Sequence, residues 1–370
     1  MRLQRLHIFN FRNITDQEIE FGPGFNYLSG DNGAGKTALL EAIHVLARGR
    51  SFRTHRIGPV VRHKQNALVV TGEVVSDEGL LTKLGTQRFA NGKTELRLGG
   101  EKTSKASALA QALPIQTLLP DAADLVLGSP GGRRAFLDWG LFHVEQTFLK
   151  DSGQYRRVLS QRNAWLKQEA TEHSTIADDP WFQQYREYAI RLSTSRATYV
   201  EALAVVFNAL MSELNASLEV ELTYDWGGLA SAAEADKKVS ESYARDVKFG
   251  TTQRGPHRGD LLFTIGGNPA AEVVSRGQAK LIASAALLGQ AKLLSDRIGQ
   301  RLVFLIDDFG AELDGNRWQQ LVRTLLSLDC QVIATSTEKI DLDADWVKGL
   351  PDLRVFHVEQ GQIASLSNPR

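Results

Sequence analysis

Eight consecutive residues, Gly30-Asp31-Asn32-Gly33-Ala34-Gly35-Lys36-Thr37, fit the pattern G-x-x-x-x-G-K-[ST] without a departure. No other segment constrains the fold as much, because such a loop works only between a strand and a helix. Its glycines let backbone N–H groups turn inward around phosphate oxygens, where side chains would clash. The helix that follows aims the positive end of its dipole at the same anion. Both flanks are present: Phe25-Asn26-Tyr27-Leu28 reads as a strand and residues 36–47 as a helix. Residues 30–37 are therefore expected to cradle ATP, with Lys36 on the β and γ phosphates and the Thr37 hydroxyl on Mg²⁺.

The rest of the chain suits a folded nucleotide-binding protein. It has 370 residues, 42% hydrophobic and 23% charged, which allows two or three domains with ample core. A single cysteine, Cys330, excludes an internal disulfide and a cysteine-rich metal site; it is expected to be a buried strand neighbour without a catalytic role. No apolar run approaches the ~18 residues that span a bilayer, and the N-terminus has no signal-peptide core. The expected location is the cytoplasm, with no membrane partner. The 43 basic and 43 acidic residues cancel, which argues against a uniformly basic DNA coat. The charges are nevertheless segregated. Residues 48–64 hold Arg48, Arg50, Arg53, Arg56, Arg62 and Lys64 with no acid, whereas residues 301–345 hold nine acids against four bases.

Periodicity gives the organisation. Residues 3–9 and 67–98 alternate as strands, with turn signals at Asp77-Glu78-Gly79 and Asn91-Gly92. Helical stripes follow. Tyr155, Val158, Leu159, Trp165 and Leu166 form one, and Tyr185, Leu192, Tyr199 and Val206 form another at intervals of seven. A polar stretch separates them, so two helices folded back on each other are expected, although an ordinary helical subdomain gives the same pattern. From about residue 245 the chain returns to α/β character. Arg301 to Ile306 suits a buried parallel strand, and Gln331 to Thr335 the next one.

The apolar strand ending at Ile306 delivers Asp307-Asp308 at its carboxyl edge. Asp307 is expected in the Mg²⁺ shell. Asp308 is placed to orient or deprotonate an attacking water. Shortly before that strand, Ser275-Arg276-Gly277-Gln278 opens a long apolar helical stretch. Ser and Gly at such a position are most often a cap, but the order of phosphate loop, S-x-G-Q and Asp-Asp resembles an ABC-type ATPase. That resemblance implies that Ser275, Gly277 and Gln278 of one subunit close over the nucleotide held by another. Ala311-Glu312-Leu313-Asp314 resembles the D-loop of the same class, with Asp314 as a further contact in trans.

Lys36 and Asp307 lie 271 positions apart with a helical insertion between them. That split resembles the SMC and double-strand-break-repair ATPases, but there is room only for a stub of their coiled coil. Split and stub together resemble the RecF family across essentially the whole chain. Leu6-His7-Ile8-Phe9-Asn10-Phe11-Arg12-Asn13, Gly49-Arg50-Ser51-Phe52-Arg53, Arg133-Arg134-Ala135-Phe136-Leu137-Asp138, Gly255-Pro256-His257-Arg258 and Leu305-Ile306-Asp307-Asp308 resemble its marks in order. The Gly128 to Gly132 spacing is looser by one residue.

The resemblance implies an ATP-dependent homodimer that binds double-stranded DNA near single-strand/duplex junctions. It would help load RecA in recombinational repair, with RecR and RecO as partners. Its architecture would be a split P-loop ABC-type α/β ATPase head, residues 1–135 and 245–370. A helical lobe with a short antiparallel hairpin would fill residues 136–244.

Several assignments stay open at this level. Asp308 stands where such ATPases usually carry Glu, and Thr335-Ser336-Thr337 where they carry His, so slow hydrolysis is expected. Gln116 fits the glutamine that links Mg²⁺ to the helical lobe, although an isolated Gln in a polar turn is common. DNA contacts are expected among Arg50, Arg53, Arg56, Arg62 and Lys64, but Arg53 and Arg56 fit the nucleotide as well. Competing classes are a transporter-driving ABC subunit, a non-hydrolysing nucleotide-gated scaffold and a P-loop kinase. The first lacks the helical insertion, and the last leaves the S-x-G-Q element without work.

Overall fold

The helix after the phosphate loop is buried on nearly every side, and the fold is arranged around it. In the computed structural model, which describes residues 1–215, 217–308, 315–350 and 352–366, it runs Lys36–Arg48. In chain order the first elements are β1 (Arg2–Phe11), β2 (Ile14–Glu20), β3 (Phe25–Ser29), α1 (Lys36–Arg48), β4 (Ala67–Val75), β5 (Leu81–Phe89), β6 (Thr94–Leu98), β7 (Glu101–Thr103), α2 (Ala106–Ala112) and β8 (Ile115–Leu118). The middle holds α3 (Asp124–Leu127), α4 (Pro130–Val144), α5 (Phe148–Gln168), α6 (Phe182–Asn215), β9 (Glu221–Asp225), α7 (Ala232–Glu241), α8 (Tyr243–Phe249), β10 (Asp260–Ile265), β11 (Asn268–Pro269), α9 (Ala270–Val273) and α10 (Arg276–Ile298). The chain closes with β12 (Val303–Ile306), α11 (Gly315–Ser327), β13 (Gln331–Ser336), α12 (Asp345–Lys348), β14 (Arg354–Glu359) and β15 (Gln362–Leu366).

The chain forms two compact units, residues 1–122 with 294–370, and residues 123–293. In the first, β2-β1-β4-β5-β6-β7 form an antiparallel sheet. A second sheet runs β15-β14-β3-β13-β12-β8, parallel except for β15. Helix α1 packs on β1, β4 and β5 of one sheet and on β13 of the other. Leu39, Leu40, Ile43, Val45 and Leu46 are wholly buried, and the polar side chains of Glu41 and His44 are buried with them. Gly72 permits this approach, since a Cβ there would lie 2.6 Å from Leu46 Cδ2. The central parallel strands, Val303–Ile306 and Gln331–Ser336, are buried throughout, as their near-continuous apolar runs require.

Buried Gln331 links the two sheets. Its Oε1 accepts from Leu3 N–H at 2.8 Å, and its Nε2 donates to Leu3 O at 2.8 Å and Gly22 O at 2.7 Å. Cys330 is buried beside it, and desolvation pushes its thiol up to about 12, so it is inert as a nucleophile.

The second unit departs from the expected boundaries. Residues 245–293 group with the helical part, because β10 pairs antiparallel with β9 and Arg133 of α4 holds Asp260 of β10 by two hydrogen bonds of 2.8 and 2.7 Å. The S-x-G-Q element therefore belongs to this unit.

The two helical stripes are α5 and α6. Arg162, near the end of α5, lies over the rings of Phe182 and Tyr185 at the start of α6, at 5.6 and 4.6 Å. The helices thus fold back on each other. Arg162 is fully buried, and it is held by Asp179 at 2.8 Å, Asp246 at 2.9 Å and Thr252 at 2.8 Å. Among the described residues α6 is the one helix long and apolar enough to cross a bilayer, a stretch not expected from sequence. Tyr185, Ala189, Leu192, Tyr199 and Leu203 of this helix are buried within this unit, whereas Val205 is exposed.

The Gly255-Pro256-His257-Arg258 segment is also structural. A Cβ at Gly255, whose φ is +138°, would lie 2.6 Å from the Tyr185 hydroxyl. Arg196 donates to Pro256 O at 2.6 Å. His257 Nε2 lies 3.1 Å from Thr252 O and must donate to it, so Nδ1 accepts from the Tyr155 hydroxyl at 2.6 Å.

Burial lowers the His257 pKa from 6.5 to about 4. Below pH 6.5 the unfolded chain binds a proton at this position that the folded chain refuses until about pH 4, so stability falls as pH drops through that window. NMR titration is expected to show His257 as the neutral Nε2–H tautomer at pH 5.5, while thermal midpoints decline from pH 6.5 downward. An ordinary midpoint near 6.5 at His257 contradicts the buried neutral ring.

Candidate functional site

The carboxyl ends of β3, β13 and β12 lie side by side, which is where parallel sheets present ligand sites. The phosphate loop leaves β3 here. Gly30 N–H donates to Ser336 O of β13 at 3.3 Å. A Cβ on Gly30 would lie 2.1 Å from Val358 O, so only glycine fits against β14. Gly33 and Gly35 take φ of +80° and +118°, the left-handed turn that aims N–H groups inward. Lys36 Nζ folds back onto the loop, donating to Gly30 O at 2.6 Å and Asp31 O at 2.9 Å. Desolvation lowers its pKa, and the charges of Asp308, Asp307 and Asp31 act against that.

Two neighbouring elements brace the loop from outside, and neither was evident in the sequence. Asn13, in the turn between β1 and β2, donates from Nδ2 to Ala34 O at 3.2 Å. Gln360 and Gly361, with φ of +48° and +81°, turn the hairpin between β14 and β15, and Gly361 N–H donates to Ala34 O at 2.7 Å.

The acidic strand end meets the loop directly. Thr37 Oγ1 lies 3.0 Å from both carboxylate oxygens of Asp307. Thr335, one residue beyond the β13 position that pairs with Ile306, donates to Asp307 Oδ1 at 2.8 Å. It also accepts from the Asp308 N–H at 3.1 Å. Thr335 thus bonds both aspartates. Asp308 has φ +58°, a conformation that costs a non-glycine residue energy and recurs at functional sites.

A hydroxyl and a carboxylate converging this closely suit a hard cation that takes oxygen ligands and keeps waters, as Mg²⁺ does. No group of three or more His, Cys, Asp or Glu side chains that could hold a metal occurs among the described residues. Thr37 and Asp307 are the residues that could hold such an ion.

These groups open on one cavity of about 800 Å³. Its lining includes Asn32, Gly33, Gly35, Lys36, Thr37, Asp307, Asp308 and Thr337, together with Arg12, Arg53, Pro59, Val61 and His63. Arg53 therefore borders the nucleotide cavity, and Arg50, Arg56, Arg62 and Lys64 do not. Arg50, Arg56 and Lys64 are exposed, and Arg62 is half-buried.

The expected contact from Gln116 to Mg²⁺ does not fit. Gln116 is buried in the middle of β8, opposite Phe304, and is absent from the cavity lining. The Phe304 level lies three residues short of Asp307, about 10 Å along a strand.

In the second unit, Ser275 and Gln278 form a reciprocal cap. Ser275 N–H donates to Gln278 Oε1 at 2.8 Å, and Gln278 N–H to Ser275 Oγ at 3.3 Å. Ser275 is exposed and Gly277 partly so. Asp314 lies outside the described residues.

The hairpin brace is testable. A methyl at Gly361 would lie 2.5 Å from Asn13 O on a left-handed backbone. Gly361→Ala is expected to weaken ATP binding about tenfold or more in calorimetry, a loss of ~1.4 kcal/mol. Wild-type affinity in that variant contradicts the brace.

Comparisons with known proteins agree with this geometry. Residues 2–354 match the family model of the RecF/RecN/SMC N terminal domain. The DNA replication and repair protein RecF of Pseudomonas putida (strain GB-1) is 37% identical over 370 residues, the whole of both chains. That of Shewanella loihica (strain ATCC BAA-1088 / PV-4) is 36% identical over 363 residues, 98% of this chain and 99% of that one. Among solved structures, the recombination mediator protein RecF with ATP, in the RecFOR pathway, superposes with a TM-score of 0.84 at 26% identity, covering 99% of this chain and 97% of that one. An SMC head bound to the C-winged helix domain of ScpA, 16% identical with a TM-score of 0.59, shares the fold. With an ABC-type ATPase head, a complete phosphate loop and a full-length match to these relatives, the chain belongs to the RecF family.

Proposed function

We propose that this protein is an ATP-gated DNA-binding switch of bacterial DNA repair and replication, acting in the cytoplasm. The observation that carries the reading is the convergence of Lys36, Thr37, Asp307 and Asp308 on one cavity at the end of the parallel sheet. The relatives' names, DNA replication and repair protein and recombination mediator, support the biological setting.

Each residue has a role in this reading. The loop's N–H groups and the N-terminus of α1 bind the triphosphate, and Lys36 exchanges its two carbonyl partners for β and γ phosphate oxygens. Thr37 and Asp307 hold Mg²⁺, which supplies charge neutralisation on the phosphates. Asp308 orients the attacking water. Its carboxylate is one methylene shorter than glutamate, and the stretch Thr335-Ser336-Thr337, of which Thr337 lines the cavity, holds no histidine to sense the γ-phosphate, so turnover is slow and works as a timer. Single-turnover product release separates this from a non-hydrolysing scaffold.

The exposed cap formed by Ser275, Gly277 and Gln278 supplies a hydroxyl and a helix N-terminus to the γ-phosphate held by a second copy. Two heads then sandwich two nucleotides. A zero net charge supports the same arrangement, since one copy offers only a modest basic surface and a pair makes a groove. Arg50, Arg56, Arg62 and Lys64 are the candidates there for double-stranded DNA near single-strand/duplex junctions. RecR, RecO and RecA are the partners that this role requires.

Light scattering tests the sandwich. Wild type is expected to double in mass on saturating ATP and then to retain duplex DNA in a salt-sensitive manner, whereas Lys36→Met stays monomeric. A wild-type monomer at saturating ATP defeats the reading.

A further inference from the structure

A fully buried carboxylate lies one helical turn beyond Thr37. Glu41 is 0% exposed and makes three side-chain contacts. Arg12 grips it with two donors, Nε at 2.9 Å and Nη2 at 2.7 Å, and the Ser51 hydroxyl donates to the same carboxylate. Each contact leads into the segment that follows α1. Ser51 Oγ accepts the N–H groups of Arg53 at 2.9 Å and Thr54 at 3.1 Å. Arg12 Nη1 donates to Pro59 O at 2.7 Å, and Arg12 N–H to Val60 O at 2.9 Å. His44, one turn further along α1, is held neutral by burial, its pKa lowered to about 3, so its Nδ1–H donates to Arg50 O at 2.7 Å. Residues 50–60 contain no helix or strand, and these contacts from α1 and β1 tie them down at both ends.

That strap forms a wall of the nucleotide cavity through Arg53, Gly58 and Pro59. Arg12 also lines the cavity, but its Nε, Nη1 and Nη2 all serve Glu41 and Pro59. The Arg53 guanidinium has no hydrogen bond or ion pair among the described residues and is exposed at the cavity. A free cation held at an anion site by its own backbone needs that backbone fixed, and the fixing runs from Glu41 through Ser51 to the Arg53 N–H. We propose that Glu41 is a positioning residue. Through Ser51 it sets Arg53 on the wall of the cavity as a contact for the anionic nucleotide, and through Arg12 it sets the far end of the strap. One helix therefore carries both Lys36 and Thr37 at its start and, in its body, the anchor of a second segment that lines the same cavity. The proposal rests on the nucleotide reading above.

A double-mutant cycle on Mg·ATP affinity, read by calorimetry on the full chain, tests it. Arg53→Ala is expected to weaken binding about tenfold, and Glu41→Gln and Ser51→Ala each by a similar factor. Adding either substitution to Arg53→Ala is expected to cost no more than twofold further. A general structural role for Glu41 would instead give losses that multiply. Should Glu41→Gln fail to fold, Ser51→Ala, which removes one hydroxyl, carries the cycle alone. Unchanged affinity in Arg53→Ala, or full additivity in the double variants, overturns the proposal while leaving the nucleotide site intact. Wild type that takes up no ATP defeats the site reading itself.

Discussion

Helix α1 cannot move without moving everything that touches it. Two sheets close over its apolar surface, and residues from Ala38 to Ala47 have no exposed face. Interiors this closely packed do not deform continuously. The phosphate loop is the entrance to that helix, so the nucleotide site inherits the rigidity of the core. The loop is also gripped from behind. Gly30 has no room for a side chain beside Val358, and Ala34 O accepts from both Asn13 and Gly361. A preorganised anion site of this kind loses little entropy when phosphate arrives.

The aspartate pair shows the same economy. The metal-side carboxylate of Asp307 is fixed by two hydroxyls, Thr37 from the loop and Thr335 from the neighbouring strand. Because Thr335 also receives the Asp308 N–H, one threonine sets the relative placement of both acids.

Most of the first unit could be read from the amino-acid order, because its signals are local. A glycine loop between an apolar strand and a buried helix, and a buried strand ending in two acids, each declare themselves within ten residues. Contacts that join distant segments left no such trace. Asn13 and Gly361 meet at Ala34 from opposite ends of the chain, and Glu41 looked like one more helical position until its burial and its partners were visible. Gln116, read either as a glutamine that links Mg²⁺ to the helical lobe or as an isolated Gln in a polar turn, lies in a strand of only four residues, too short to show a period. The boundary of the helical unit was missed because β9 and β10 pair across the α7 and α8 helices, and pairing over that separation has no sequence period. Several family marks, Arg133 and the Gly255 to Arg258 segment among them, are fasteners within that unit and touch no part of the phosphate loop's cavity.

The account stands or falls on whether Thr37 and Asp307 form a metal-dependent triphosphate site. Isothermal titration of ATP into wild type and Asp307→Asn, each with and without Mg²⁺, measures this directly. Wild type is predicted to bind at least tenfold more tightly with Mg²⁺, and Asp307→Asn to bind ATP with little response to the metal. The same Mg²⁺ enhancement in both proteins would contradict it.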